Sequence, residues 1–221
     1  MKSTIPTYPK YLQDEFSRNT REFQLEILHD DGPYRHLTFG RPGSSMGRFE
    51  LVTWPRHLSI GGDWEGFVFA RLEDMFQLFR SPSGQINPDY WAEKIVAGRH
   101  REKAYSQELV ERRIWNAVRQ AYEYGTAPKG LAKAVQEEIV GTWEDPLCAW
   151  DTAQDAIQNF KHRRDGVEFH FGETWAWDTC TYTGHYLLVC HAIVAMINAY
   201  DACKRLVEAP DDAHTCQSGS N

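Results

Sequence analysis

Long hydrophobic runs are scarce in this chain of 221 residues. The first segment, MKSTIPTYPKYLQDEF, has no apolar stretch of the kind that forms the core of a signal peptide, which argues against secretion by that route. The longest apolar segment, Tyr186 to Tyr200, is interrupted by His191 and Asn198 and is shorter than the roughly 20 residues that span a bilayer. We therefore predict a core helix there and no membrane association.

Cysteine is also sparse, and its spacing carries no signature of a disulfide framework. The five cysteines are an odd number without a CxxC pair, so we predict reduced thiols in a cytoplasmic protein. His185 and His191 lie six positions apart, whereas a helical zinc pair needs a spacing of four. The sequence therefore predicts no metal site.

Motifs of covalent catalysis and phosphate binding do not stand out either. We identify no nucleophile elbow, no SxxK string and no cysteine in a protease context. The glycine-rich segment from Gly40 to Gly47 lacks the GxxxxGK[ST] pattern and joins two expected strands, so we interpret it as a hairpin loop. We predict no catalytic residues and no cofactor.

Acidic residues outnumber basic ones by 31 to 24, which gives a formal net charge of -7. This balance argues against a protein whose whole surface binds nucleic acid, although it leaves room for a local basic patch. Hydrophobic residues make up 42% of the chain and aromatic residues 13%, enough for a large core. We predict one α+β domain over residues 1–208 and a disordered polar tail over residues 209–221.

Apolar and polar residues alternate over residues 22–71, which predicts an antiparallel β-meander of about five short strands. From residue 72 to residue 205 the apolar spacing becomes mainly helical. Helices are expected near residues 8–20, 72–79, 87–98, 106–125, 128–141 and 145–160, with a late strand at 167–171. The apolar helix from Thr183 to about Lys204 is predicted to lie centrally between the meander and the other helices.

The densest group of polar and aromatic residues falls at strand ends and turns of the predicted meander. Its members are Trp54, Arg56, His57, Asp63, Trp64 and Arg71. Functional side chains are disproportionately displayed on loops held by a rigid scaffold, so this group is the first candidate binding site. The competing interpretation is structural, with the tryptophans packed in the core and Asp63 capping its turn.

Two basic clusters lie in predicted loops or helix ends. They contain Arg99, Arg101 and Lys103 in one case and Arg163 and Arg164 in the other. If the fold brings the clusters together, they form an anion or nucleic-acid patch. Residues 161–164 also suit a helix C-terminus, where cations complement the helix dipole.

Three strings carry a resemblance to known proteins: residues 29–80, which include LVTWP and DMFQLFR, residues 86–94, which begin INPDYW, and residues 175–201. Together they resemble a family of proteins encoded in phage and prophage genomes, over about residues 22 to 205. The resemblance implies a small accessory protein and brings no catalytic residues with it.

Two functions follow from these observations. The first is a phage accessory protein that binds and inhibits a host protein without catalysis, for example an anti-CRISPR or other anti-defence protein acting on a defence complex in the bacterial cytoplasm. The alternative is a nucleotide-binding or nucleotide-processing domain, because aromatic stacking and arginine charge suit a base and a phosphate. A DNA-binding regulator is disfavoured because no helix-turn-helix with a basic recognition helix is evident. The sequence leaves a homodimer open.

Overall fold

The computed structural model describes residues 10–63 and 65–208, so the predicted tail and the candidate residue Trp64 lie outside the described residues. The predicted α+β class is confirmed: the chain contains a six-stranded antiparallel sheet, helices and a C-terminal apolar helix. The contacts divide the chain into two compact units. We call residues 10–63, 65–102 and 184–208 the sheet unit, and residues 103–183 the inserted unit.

The helices are α1 (Lys10–Asn19), α2 (Phe76–Phe79), α3 (Pro88–Ala92), α4 (Gln107–Glu123), α5 (Leu131–Val135), α6 (Trp150–Asn159) and α7 (Gly184–Glu208). The strands are β1 (Gln24–Asp31), β2 (Tyr34–Gly40), β3 (Phe49–Trp54), β4 (His57–Gly62), β5 (Phe67–Ala70), β6 (Ile95–Ala97), β7 (Lys103–Tyr105), β8 (Lys161–Arg164), β9 (Val167–His170) and β10 (Cys180–Tyr182). A π-helical turn, Gln136–Val140, continues α5, and 3-10 turns cover Pro146–Cys148 and Thr174–Ala176.

The sheet unit is a meander in which β1 to β6 pair in chain order, all antiparallel. Alternate side chains point to one face, where Leu37 pairs with Leu51 and Leu51 with Ile60, all buried. The sixth strand corrects the predicted helix over residues 87–98, which ends at Ala92. Ile95 is buried opposite Phe69 on β5, so sheet pairing and apolar burial end the helix early.

Helix α7 packs against α1, α2 and β1 within the sheet unit. Tyr186 is buried edge-on against Phe67 of β5, at 5.4 Å between ring centroids, and its hydroxyl donates to the Pro88 carbonyl at 2.8 Å. By length and composition alone, Gly184–Val207 is sufficient to cross a bilayer, but 61% of its most apolar window is buried inside the protein. Such burial is typical of a core helix, as predicted.

The inserted unit has its own core, to which α4, α5 and α6 contribute buried apolar side chains. Its first and last strands pair with each other, Lys103 opposite Tyr182, so the chain enters and leaves the unit at adjacent positions. The basic residues 161–164 form β8 and not the predicted helix end. The reason is a two-residue turn in which Asp165 and Gly166 both have positive φ (50° and 82°), the Asp-Gly hairpin signal that our sequence analysis overlooked.

Candidate functional site

The turn between β3 and β4 brings four of the predicted site residues to one end of the sheet. The rings of Trp54 and His57 stack with centroids 5.0 Å apart and planes 8° apart. The Arg71 amide donates to the Arg56 carbonyl at 3.1 Å, which joins the main chains of these two residues. Trp54, Arg56 and Arg71 are exposed and His57 is half-buried. We call these four residues the Trp54 surface.

Arg56 has a backbone conformation that residues other than glycine rarely adopt. Its φ is 69°, in the left-handed region, and its amide donates to the Glu73 carbonyl at 3.1 Å. A non-glycine residue in this region costs on the order of 1 kcal/mol. The turn therefore holds an exposed arginine under strain, with its main chain tied to the segment after β5.

Asp63 lies at the other end of β4, away from the Trp54 surface. Asp63 is six positions after His57, and a strand rises about 3.3 Å per residue, so the two lie about 20 Å apart. Asp63 and Arg48 bond reciprocally: the Arg48 amide donates to Asp63 Oδ2 at 3.2 Å, and the Asp63 amide donates to the Arg48 carbonyl at 3.2 Å. Asp63 therefore closes the start of the β3–β4 pair and does not converge with Trp54.

The predicted anion patch draws on both units. In the sheet unit, the Arg99 guanidinium donates to the Ile95 carbonyl at 2.7 and 3.2 Å, and Arg101 pairs with Glu65 at 3.7 Å. In the inserted unit, the Lys103 ammonium lies over the Tyr182 ring at 4.8 Å, and Arg163 and Arg164 are exposed on β8. The assembly of the patch therefore stays a prediction.

A charged network around the buried Arg35 of the sheet unit was not predicted. The Arg35 guanidinium, 8% exposed, donates to both carboxylate oxygens of Asp74 at 2.8 and 3.2 Å and lies 4.4 Å from the centre of the Phe76 ring. The Tyr200 hydroxyl donates to Asp30 at 2.9 Å. Together with Lys204, which pairs with Asp30, these residues tie β1, β2 and the α2 segment to α7.

The electrostatics of the network follow from its contacts. Burial raises the pKa of the Asp30 carboxyl, but hydrogen bonds from Lys204 and Tyr200 and the nearby cationic charges outweigh burial, so the net pKa is below its ordinary value. Burial lowers the Arg35 pKa, but the hydrogen bonds and charges of Asp74 and Tyr200 together outweigh burial, so that pKa is raised. Both groups are therefore held in their charged forms, as a structural ion network requires.

Cys190 and His191, adjacent on α7, show no arrangement for nucleophilic catalysis. Cys190 is fully buried, and burial raises the pKa of its thiol far above the ordinary value, which leaves it unreactive. Burial lowers the pKa of the neighbouring His191, whose ring stacks on Phe16 at 5.8 Å. Among residues 10–63 and 65–208, no group of three or more His, Cys, Asp or Glu side chains could hold a metal ion.

The segment Gly43 to Gly47 reads GSSMG and so has the letters of the GxSxG string, which corrects our exclusion of that motif. In a nucleophile elbow the serine sits between a strand and a helix. Here Ser45 lies between β2 and β3, in the hairpin loop that the sequence analysis predicted. The loop borders a recess of about 600 Å³ at the Asp63 end of the sheet.

Comparisons with protein-family models, with curated proteins and with solved structures found no match.

Proposed function

We propose that this chain is a phage-encoded accessory protein that binds a protein of the bacterial host, in the host cytoplasm, and blocks it without catalysis. An anti-CRISPR or other anti-defence protein acts in this way. The observation that carries the binding part of the proposal is the Trp54 surface. The phage origin rests on the resemblance in residues 29–80, 86–94 and 175–201.

The Trp54 surface has the composition of an interface centre. Tryptophan, tyrosine and arginine dominate the residues whose loss weakens protein complexes most. Trp54 is 36% exposed, and stacking on His57 fixes the orientation of its ring before a partner arrives. A preordered aromatic side chain loses little conformational entropy on binding, which favours affinity. Arg56 and Arg71 add two charges suited to an acidic partner surface.

The test is affinity purification of the tagged chain from host lysate, together with a plaque assay in a defence-positive strain. We expect a specific partner and improved phage survival. The paired change Trp54→Ser with Arg71→Gln removes the aromatic and cationic anchors, and we expect affinity to fall at least tenfold, about 1.4 kcal/mol or more.

The matched control is Trp143→Ser, which removes a fully exposed tryptophan from the inserted unit. This variant should bind like the parent chain. Recovery of no specific partner, with no protection of the phage, contradicts the proposal. Loss of binding in the Trp143 variant alone would assign the interface to the inserted unit and overturn the role of the Trp54 surface.

A nucleotide-binding function is the second candidate, and the stacked Trp54–His57 pair beside two arginines favours it. Asp63, about 20 Å away along the strand, does not take part in such a site. The test is mass spectrometry of the supernatant from denatured protein, with a thermal-shift panel of nucleotides. An empty supernatant and unchanged melting temperatures would exclude this function.

A further inference from the structure

The recess beside the glycine-rich loop is a separate candidate site. It has a volume of about 600 Å³, in the range of small-molecule sites, and its polar lining includes Gln24, Glu26, Thr38, Arg41, Ser45 and Arg48. The recess adjoins the end of β2 and the start of β3, whereas the Trp54 surface lies at the end of β3. Five residue steps of β3 place the two regions about 17 Å apart.

The loop that borders the recess is shaped before any ligand binds. Pro42 and Gly43 occupy the two central positions of a turn in which the Ser44 amide donates to the Arg41 carbonyl at 3.1 Å. Gly43 has a φ of 72°, and proline followed by a left-handed glycine is the signature of a type II turn. The Ser44 hydroxyl then accepts from the Met46 amide at 3.2 Å.

The backbone of Arg48 is fixed as well. Its amide and carbonyl both bond to Asp63, and a Cβ added to Gly62 would lie 2.2 Å from the Arg48 carbonyl oxygen. Residue 62 must therefore be glycine for β3 and β4 to approach so closely. Asp63, selected from the sequence as a site residue, is here a positioning residue for Arg48.

The cations of the recess have capacity for an external anion. Within the described part of the chain, the Arg48 guanidinium forms no ion pair, and Arg41 pairs only with Glu22, at 3.5 Å. Both partners of that pair are more than half exposed, so the pair contributes little stability. Arginine presents several N–H donors in a planar fork that matches phosphate oxygens. The Ser45 hydroxyl supplies a further donor at the same loop.

The rest of the lining suits hydroxyl groups and not an aromatic base. Glu26 offers carboxylate acceptors, Thr38 donates to Glu26 at 3.4 Å, and Gln24 supplies an amide. None of the described residues that line the recess is aromatic, so within that part of the chain a nucleobase finds no ring on which to stack. We propose that this recess binds a sugar phosphate or a similar phosphorylated polyol, with its phosphoryl group at Arg41, Ser45 and Arg48 and its hydroxyls at Glu26 and Gln24.

The experiment is isothermal titration calorimetry of the full chain with triose, pentose and hexose phosphates, beside ribose, inorganic phosphate and adenosine monophosphate. We expect at least one sugar phosphate to bind more than tenfold tighter than ribose, inorganic phosphate or the nucleotide. Arg48→Gln should weaken that binding at least tenfold. Arg113→Gln, a change at an exposed arginine of the inserted unit, should leave it unchanged.

Glu26→Gln tests the hydroxyl contacts separately from the phosphoryl contacts. This change should weaken the sugar phosphate and leave the weaker affinity for inorganic phosphate equal or higher, because a negative charge leaves the recess. Absence of binding across the whole sugar-phosphate panel overturns the proposal. Tighter binding of the nucleotide or of inorganic phosphate also overturns it, as does an Arg48→Gln variant that binds like the parent chain. None of these results affects the proposal for the Trp54 surface.

Discussion

The sheet unit and the inserted unit use charge differently. In the sheet unit, polar contacts join residues more than 100 positions apart: Tyr200 bonds to Asp30, and Arg80 donates to Asp201 at 2.7 and 2.8 Å. In the inserted unit, the ion pairs are local, one helical turn apart and exposed, as in Lys133 with Glu137. The inserted unit is held mainly by its apolar core.

The difference indicates where each unit is vulnerable. Removing one partner of a buried ion pair leaves the other charge without compensation, which costs far more than losing an exposed pair. The sheet unit should therefore be sensitive to single changes of charge. The inserted unit should tolerate such changes and respond instead to cavities in its core.

Arg35→Met should produce the largest loss of stability. It removes the buried guanidinium that pairs with Asp74 and lies near Asp30, while Lys204 stays paired with Asp30, and we expect a loss of about 3–5 kcal/mol in the free energy of unfolding. Hydrogen exchange measured by mass spectrometry, segment by segment, should show the loss in β1, β2 and α7. If exchange rises equally across α4 and α6, the two units do not differ in the way we describe.

Ile114→Ala tests the inserted unit by creating a cavity in its apolar core, and not by removing a charge. Ile114 is fully buried in the core of that unit, so truncation leaves a cavity and should cost about 2–4 kcal/mol. Chemical denaturation gives the value, and exchange should increase between residues 103 and 183. Glu108→Gln, which removes the exposed pair with Arg112, should change stability by less than about 0.5 kcal/mol. A larger effect of Glu108 than of Ile114 would reverse the comparison.

His191 in the sheet unit should make a smaller, pH-dependent contribution to the stability of the folded protein. Burial lowers its pKa in the folded state below the ordinary value of 6.5, so its contribution to stability is complete above pH 6.5 and is lost as the pH falls through the folded pKa. His191→Phe keeps an aromatic ring beside Phe16 and removes the titration. Melting temperatures recorded from pH 7.5 down to about 5 should fall less steeply in this variant.

The contribution of Asp30 to stability changes in a lower pH range than that of His191. Its folded pKa lies below the ordinary value of 3.8, so its contribution is present above pH 3.8 and is lost at more acidic pH. Lys204→Met removes the cation that pairs with Asp30 and should flatten the fall in stability below pH 4, with His191→Phe as the matched variant that leaves this range unchanged. An unaltered acid transition in the Lys204 variant would show that the pair does not control the pKa.

Arg56→Gly should have the smallest effect on stability. Glycine relieves the left-handed strain at this turn, and the relief is offset by the greater entropy of glycine in the unfolded chain, so the change should lie within about 0.5 kcal/mol. The variant then removes one cation of the Trp54 surface without unfolding the protein. Circular dichroism should show an unchanged fold, and a large loss of stability would mean that the Arg56 side chain supports the turn.

Much of the sheet unit can be predicted from the sequence. Alternation of apolar and polar residues predicts strands β1 to β5, and the short links between them require a meander. The apolar helix α7 is equally visible. Strand β6 is not, since three residues carry no period and only their burial against β5 determines their state. The Arg35 network could not be predicted from the sequence either, because Asp30 and Tyr200 are 170 positions apart and no local pattern connects them.

The candidate site was only partly predictable for a similar reason. Neighbouring positions in a sequence, such as Trp54 and His57, come together across a tight turn. Asp63 follows the same strand but lies at its far end, which the strand length alone already implies. The recess was missed because its lining comes from β1, the loop after β2 and the start of β3, and becomes one surface only when the strands pair.

Helix α7 belongs to the sheet unit but follows the inserted unit in the sequence, and this order has a consequence for synthesis on the ribosome. The chain emerges from its N-terminus, so the inserted unit, with its paired first and last strands, has been synthesised before Tyr200 and Lys204, the partners of Asp30 on α7. Until α7 is made, the apolar side chains of the meander that it covers in the folded chain, Phe67 among them, lack that cover. Nascent chains that end at residue 183 and continue into an unstructured linker long enough to fill the ribosomal exit tunnel should therefore resist protease between residues 103 and 183, while the segment that precedes them is cut.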